Sequence, residues 1–254
     1  GELLNPIAPI VILIRPQMGE NIGAVARAMS NFGLSELRIV APRDGWPNPK
    51  AVEMAAGGLD IINSAIIYPD FTSAMADIHT AYATTARPRD INKRVVSAQT
   101  AMQEIVEVLI PKPQSLSLKP INIALVFGPE RTGIENEEII LCDNIISIAT
   151  SEKNRSLNLA QSSVIIGYEW IKVSSEQNNP APSTQPLAPK GDMFGLLDQL
   201  EKYLDQAQYF RTENKKTIMW KNLKNMLLRG KWSEQEIRTF RGMLRSLWER
   251  GKTN

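Results

Sequence analysis

Among 254 residues the chain has one cysteine and one histidine. Cys142 alone excludes an internal disulfide framework and a thiolate metal cluster. His79 alone excludes multi-histidine zinc sites and leaves little for a Ser-His-Asp triad. Apolar runs are short, and none approaches the ~18 residues that mark a membrane span. The stretch Gly1–Ile14 lacks the positive region of a signal peptide. The expectation is a soluble cytoplasmic protein with no membrane or metal partner. Nucleotide fingerprints are missing too. No G-x-G-x-x-G follows the first strand and no G-x-x-x-x-G-K-[ST] occurs anywhere, which disfavours a Rossmann dinucleotide site and a P-loop.

What is present begins with a core. The chain is 43% hydrophobic and 22% charged, a balance that suits a packed domain and not a disordered chain. Its net charge of +2 hides an asymmetry: residues 1–190 sum to −3 and residues 191–254 to +5. From Arg211 to Lys252 there are 12 basic groups against 4 acidic ones. Such a segment suits an anionic partner, and it equally suits a solvated helix face.

Strand and helix patterns alternate through the first 175 residues. Apolar strands are expected at Ile10–Ile14, Leu37–Ala41, Ala65–Tyr68, Ala81–Thr85, Ile121–Phe127 and Ile145–Ala149. Between them, Asn21 to Gly33 reads as a helix with Ile22, Val25, Ala26, Met29 and Phe32 on one face and Gly33 at the C′ position. Further helices are expected at Pro49–Ala56, around Phe71–Ile78, at Ser97–Leu109 and at Ser156–Val173. Near-continuous apolar strands separated by helices predict an α/β fold, a mostly parallel sheet covered on both faces.

The character changes at 174–190, where SSEQNNPAPSTQPLAPK holds four prolines and little apolar content. This reads as a semi-extended linker, so few core contacts should cross it. Beyond it, Asp192–Gln206, Thr212–Leu228 and Ser233–Arg250 read as three helices, the last opening on the capping box Ser233-Glu-Gln-Glu236. The domain plan is therefore a body at 1–173, a linker at 174–190 and a basic helical extension at 191–254.

Three loops after strands carry unusual residues, and open α/β sheets bind ligands at such loops. The first holds Asn21, Gly23 and Arg27, with Arg27 in an otherwise apolar, alanine-rich helix. Asn21 fits an N-cap as well as a ligand contact. The second is Phe127-Gly-Pro-Glu-Arg-Thr-Gly133, whose glycines suit either an ordinary turn or a close approach of backbone to ligand. The third is Asn154-Arg-Ser-Leu-Asn-Leu-Ala160, where Ser156 is a candidate N-cap and Asn158 could hydrogen-bond across to a neighbouring loop. A fourth strand ends in Ala83-Thr-Thr-Ala-Arg87.

N-x-G-x-x-x-R at 21–27, F-G-x-E-x-x-G at 127–133 and S-L-N-L-A at 156–160, in this order, resemble the three motifs of the SPOUT-class (TrmH-like) RNA methyltransferases. More closely the chain resembles their TrmJ branch, the tRNA (cytidine/uridine-2′-O-)-methyltransferases acting on nucleotide 32 of the anticodon loop. The resemblance covers residues 8 to about 173, and the linker and extension match the branch by layout. It implies S-adenosylmethionine as cofactor and tRNA as substrate. It also implies a C-terminal trefoil knot formed by about 121–175, and an obligate homodimer with the cofactor at the subunit interface. By the same resemblance Asn21, Arg27 and Glu130 are catalytic. Thr84, Thr85, Ala86, Gly128, Ile148, Ser156, Leu157 and Asn158 bind the cofactor. Arg27, Arg87 and Arg131 in or beside the matched loops, and Lys221, Lys224 and Arg238 among the basic residues of the extension, are the expected RNA contacts. One departure is Ile148-Ala149, where many SPOUT proteins have Ile-Pro before the third motif; the TrmJ branch tolerates it.

Methyl transfer to a ribose hydroxyl needs donor and acceptor in line, and a way to manage a proton on a weak acid. His79 lies outside the matched motifs. Arginine is a poor base because it is effectively always protonated. Arg27 therefore suits orienting a phosphate and stabilising a developing alkoxide, with Glu130 available to set its orientation. Trp220, Trp232 and Trp248 sit among the basic residues of the extension, where they suit core packing or base contact. Two alternatives stay open: a SPOUT enzyme for ribosomal RNA or another tRNA ribose, and a non-catalytic RNA-binding SPOUT protein.

Overall fold

The structure is a computed structural model, and it describes residues 7–85, 92–110, 120–176 and 186–251. Among the described residues seven strands form one sheet: β1 (Ile10–Ile14), β2 (Leu37–Val40), β3 (Ile66–Tyr68), β4 (Thr80–Thr84), β5 (Arg94–Ser97), β6 (Ile123–Phe127) and β7 (Asn144–Ser147). Their order is β3-β2-β1-β6-β4-β7-β5, and every pairing is parallel. Between strands lie the helices α1 (Gly19–Asn31), α2 (Pro49–Ala55), α3 (Leu59–Ser64), α4 (Phe71–Met75), α5 (Ala98–Leu109) and α6 (Asn136–Ile140). The chain continues through α7 (Leu159–Glu176), α8 (Lys190–Gln206), α9 (Glu213–Leu228) and α10 (Glu234–Gly251).

The unbroken apolar runs have a direct cause. In β6, Ile123, Leu125 and Phe127 face the layer built from α1, α5 and α7, while Ala124 and Val126 face the opposite layer with Phe71, Met75 and Ile139. Strand β1 divides its five buried residues the same way. A strand covered on both faces has no polar position to alternate with. At the edge, β3 exposes Ile66 and Ile67 and β5 buries only Val96.

Helix ends follow the local chemistry. Asn48 caps α2 through Lys50 N (3.0 Å) with Pro49 in the first turn, and Ser97 caps α5 through Thr100 N (3.1 Å). After α1, Gly33 takes φ +74°, and the Leu34 amide returns to the Met29 carbonyl at 2.9 Å, closing a Schellman motif. Ser233 and Glu236 form the expected capping box ahead of α10. One cap differs from expectation. Asn158 caps α7, its Oδ1 accepting from Ala160 N at 2.7 Å, and Ser156 lies two residues before the cap. The helix therefore starts two residues later than the serine suggests.

The three C-terminal helices pack around Leu196, Leu197, Trp220, Leu228 and Ile237, and this cluster includes Ile140 of α6. Core contacts therefore do pass between the two ends of the proline-rich stretch, contrary to expectation. Lys190 is 5% exposed and its Nζ sits 2.6 Å from Asp143, while the Lys190 and Gly191 amides donate to the Ile78 and Ala76 carbonyls. Linker polarity reports on residues 174–190 alone and says nothing of the surfaces it joins. The tryptophans serve packing: Trp220 is buried, Trp232 donates to the Leu227 carbonyl (2.7 Å), and Trp248 stacks on Tyr203 with ring centroids 5.0 Å apart.

Candidate active site

The loops singled out by sequence meet at the carboxyl ends of β1, β6, β4 and β7, where open parallel sheets place their ligand crevice. The first contact is made by Glu130, three residues beyond β6. Its carboxylate accepts from the Gln17 amide (2.8 Å), the Met18 amide (3.2 Å) and Asn21 Nδ2 (3.1 Å). Met18 is the N-cap residue of α1 and has no polar side chain to offer, so a carboxylate from another loop takes over that task. Asn21 is 9% exposed and turns its Oδ1 toward Asn158, whose Nδ2 donates at 3.4 Å. Glu130, Asn21 and Asn158, one residue from each motif, thus form a continuous hydrogen-bonded chain. The cross-loop bond expected of Asn158 is present, and its partner is Asn21.

Beside this chain lies a cavity of about 650 Å³, inside the range of small-molecule sites. Thr84 and Thr85 from the end of β4, Gly128 and Glu130 after β6, Ile148 after β7, and Ser156 and Leu157 before α7 all line it. Asn158 is not a wall residue; it caps α7 and holds Asn21. Ala86 and Arg87 lie outside the described residues. Arg131 stands exposed at the cavity wall, joined there by Lys153 and Arg155, which sequence reasoning passed over. Their only signal is position: two cations directly before the third motif.

Two features mark the wall of this cavity. A Cβ added to Gly128 would stand 2.4 Å from the Ile134 nitrogen and 2.5 Å from the Gly133 carbonyl carbon, so the loop folds back on itself only with glycine there. Gly133 takes φ +69° at the return of that loop. Thr84 lines the cavity, and its Oγ1 is buried with no hydrogen-bond partner among the described residues. A buried hydroxyl without a partner is costly and points to an outside group that satisfies it.

Arg27 is placed differently. It is exposed on α1, makes no ion pair or hydrogen bond with a described residue, and does not line the cavity. Six residues past Asn21, at about 100° per residue, it points roughly 120° away from the side held by Glu130. His79 takes no part. Its Nδ1 accepts from the Asn122 amide at 3.0 Å and burial lowers its pKa, which leaves a neutral ring tied to the start of β6.

A strapped crevice at the end of a parallel sheet, with three loops joined by side chains, defines the class. The model of the SpoU rRNA Methylase family matches residues 8–168, and the chain belongs to that family of methyltransferases. Over 254 aligned residues the chain is 30% identical to tRNA (cytidine/uridine-2′-O-)-methyltransferase TrmJ of Klebsiella pneumoniae, covering 95% of this chain and 97% of that protein. It is 34% identical to tRNA (cytidine-2′-O-)-methyltransferase TrmJ of Methanocaldococcus jannaschii, covering 85% and 90% of the two chains. The crystal structure of TrmJ from Z. mobilis ZM4 superposes with a TM-score of 0.83 at 38% identity, over 94% of this chain and 99% of that one. No helix among the described residues is long and apolar enough to cross a membrane.

Proposed function

We propose that the chain transfers a methyl group from S-adenosylmethionine to a ribose 2′-hydroxyl of tRNA, at nucleotide 32 of the anticodon loop, in the cytoplasm. The observation that carries this reading is the Glu130–Asn21–Asn158 chain, which joins three loops beside a cavity with an orphaned hydroxyl. The relatives named for tRNA 2′-O-methylation match the chain nearly end to end, which supports tRNA as substrate.

S-adenosylmethionine, when bound, supplies an electrophilic methyl on a sulfonium. Thr84, Thr85 and Ala86, which follows them in sequence, the backbone at Gly128, Ile148, Ser156 and Leu157 would hold it; Ile148 offers apolar contact and Thr84 a hydroxyl with no partner among the described residues. The Glu130 carboxylate and Asn158 fix Asn21 and the first turn of α1. Arg27, eight residues into that helix, pairs with a phosphate and stabilises oxygen charge as the 2′-hydroxyl releases its proton to solvent water. Arg131 meets RNA phosphate near the cavity, Arg87 also contacts RNA, and Lys221, Lys224 and Arg238 do so on the extension.

The body at 1–173 carries this chemistry, with the trefoil knot at about 121–175; the linker at 174–190 leads to the RNA-reading extension at 191–254. The protein works as a homodimer. Arg27 lies outside the cavity of its own chain, and a dimer that sets α1 of one protomer against the cavity of the other brings the two together. Exposed Met18 at the head of α1, with exposed Val164 and Tyr168 on α7, offers apolar surface for such an interface. The test is methyl transfer to unmodified tRNA by wild type and Arg27→Ala, with cofactor binding measured in parallel. Arg27→Ala should retain cofactor and lose at least two orders of magnitude of turnover, about 2.7 kcal/mol of barrier. A variant with normal turnover refutes the role given to Arg27.

A further inference from the structure

Arg15 is the residue of the site region that neither the motifs nor the chemistry above use. It follows β1 directly and takes φ +44°, a left-handed conformation that a residue with a long side chain adopts only when its surroundings hold it there. A backbone hydrogen bond and two carboxylates hold it there. Its amide donates to the Val40 carbonyl at 2.7 Å. Its guanidinium pairs through Nη1 with Glu138 and lies 3.4 Å from Glu135 through Nη2. Glu138 is 8% exposed, and its second oxygen accepts from the Glu135 amide (3.0 Å), the cap of α6. A carboxylate so deeply placed is tolerated because both its oxygens are occupied, one of them by a cation.

Two staples therefore join the segment after β1 to the segment after β6. Arg15 grips Glu138, and the Gln17 and Met18 amides grip Glu130. The chain between the two gripped glutamates, 130–138, carries Gly133 and Ile134, and Ile139 follows it; all three line the cavity. If only the Glu130 staple existed, the loop from Arg15 to Met18 could pivot about it. The second point removes that freedom.

We propose that Arg15 is a positioning residue for methyl transfer: its ion pair with Glu138 locks the loop before α1 onto the loop after β6 and so sets the cavity wall against the helix that carries Arg27. The proposal rests on the reading of the cavity as the S-adenosylmethionine site. It gives a strained backbone position and a buried carboxylate, 123 residues apart in sequence, one shared role.

The test uses the full chain as Arg15→Gln, Glu138→Gln and the double variant. Hydrogen exchange over residues 15–22 reports the loop, and calorimetry with S-adenosylmethionine reports the cavity. Each single variant should speed exchange of the Gln17 and Met18 amides and weaken cofactor binding about tenfold. The double variant should be no worse than either single, because residues that act as one unit are not additive. Unchanged exchange and affinity in a folded Arg15→Gln overturn the proposal, as does a double variant whose losses multiply. Arg15→Lys guards against misfolding: it keeps the charge, loses the two-pronged contact with Glu135 and Glu138, and should fall between wild type and Arg15→Gln. A Lys variant equal to wild type in both readouts counts against it. A wild-type chain that binds no S-adenosylmethionine sinks the cofactor reading separately, and the exchange data then decide the role of Arg15 on their own.

Discussion

Replacing Glu130 by alanine removes a carboxylate that serves as the N-terminal cap of α1 from a loop 112 residues away. Three donors lose their acceptor: the Gln17 and Met18 amides and Asn21 Nδ2. Met18 is exposed, so water replaces its partner at little cost. Asn21 is 9% exposed and is the costly one, because its amide group is left buried with only Asn158 beside it. A hydrogen bond to a charged acceptor is worth about 1.5–3 kcal/mol, and a charge at a helix N-terminus about 0.3–1 kcal/mol. Partial exposure discounts both, so the sum expected is about 2 kcal/mol. For a chain of this size each kcal/mol moves Tm by roughly 2–4 °C, which makes the expected fall about 4–8 °C. Glu130→Gln keeps an acceptor and loses the charge, and should fall about half as far. Scanning calorimetry of wild type and both variants decides the matter. If Glu130→Ala melts within 1 °C of wild type, the strap between the first two motifs carries no free energy and the argument fails.

Other expectations follow from single features. Gly128→Ala should weaken S-adenosylmethionine binding at least tenfold by calorimetry, since the new Cβ meets backbone at 2.4 Å and only the loop itself can give way; normal affinity would show that the loop does not shape the site. Lys93 is 8% exposed and burial pushes its ammonium pKa down to about 8, against ~10.4 in an unfolded chain. Below pH 8 both states hold the proton and the burial cost is fully present. Between pH 8 and ~10.4 the unfolded chain holds more protons, so this group makes stability rise with pH there. The stability advantage of Lys93→Met over wild type, by urea unfolding, should therefore shrink across that window by up to about 3 kcal/mol, and a constant difference would contradict it. Replacing Lys221, Lys224 and Arg238 by alanine together should reduce the log–log salt slope of tRNA affinity by roughly 2–3, at about 0.7–0.9 per phosphate contact. An unchanged slope would take RNA reading away from the extension.

Much of the fold was legible because burial on two faces writes itself into composition. Ile10–Ile14 and Ile123–Phe127 could hardly be anything but central strands, and Gly33 announced the end of α1. Edge elements left weaker traces. Strand β5 buries one residue of four, and α3 and α6 are too short for a helical period to show. In the site, the family resemblance marked Thr84, Gly128, Ile148 and Leu157 as cofactor contacts, and all four line one cavity. It could not show how the loops are joined. Two of the donors to Glu130 are backbone amides, which any residue provides, and Arg15 meets Glu138 across 123 positions. Docking of the extension was hidden for a related reason: Lys190 reads as the polar end of a linker until Asp143 is found beside it.

The most direct test of the central claim is nucleotide-resolution mapping of ribose methylation on unmodified tRNA incubated with the wild-type protein and S-adenosylmethionine. A single 2′-O-methyl group is expected at nucleotide 32, absent when Arg27→Ala replaces wild type. Methylation of ribosomal RNA in place of tRNA, or no ribose methylation of either by a chain that binds the cofactor, would contradict it.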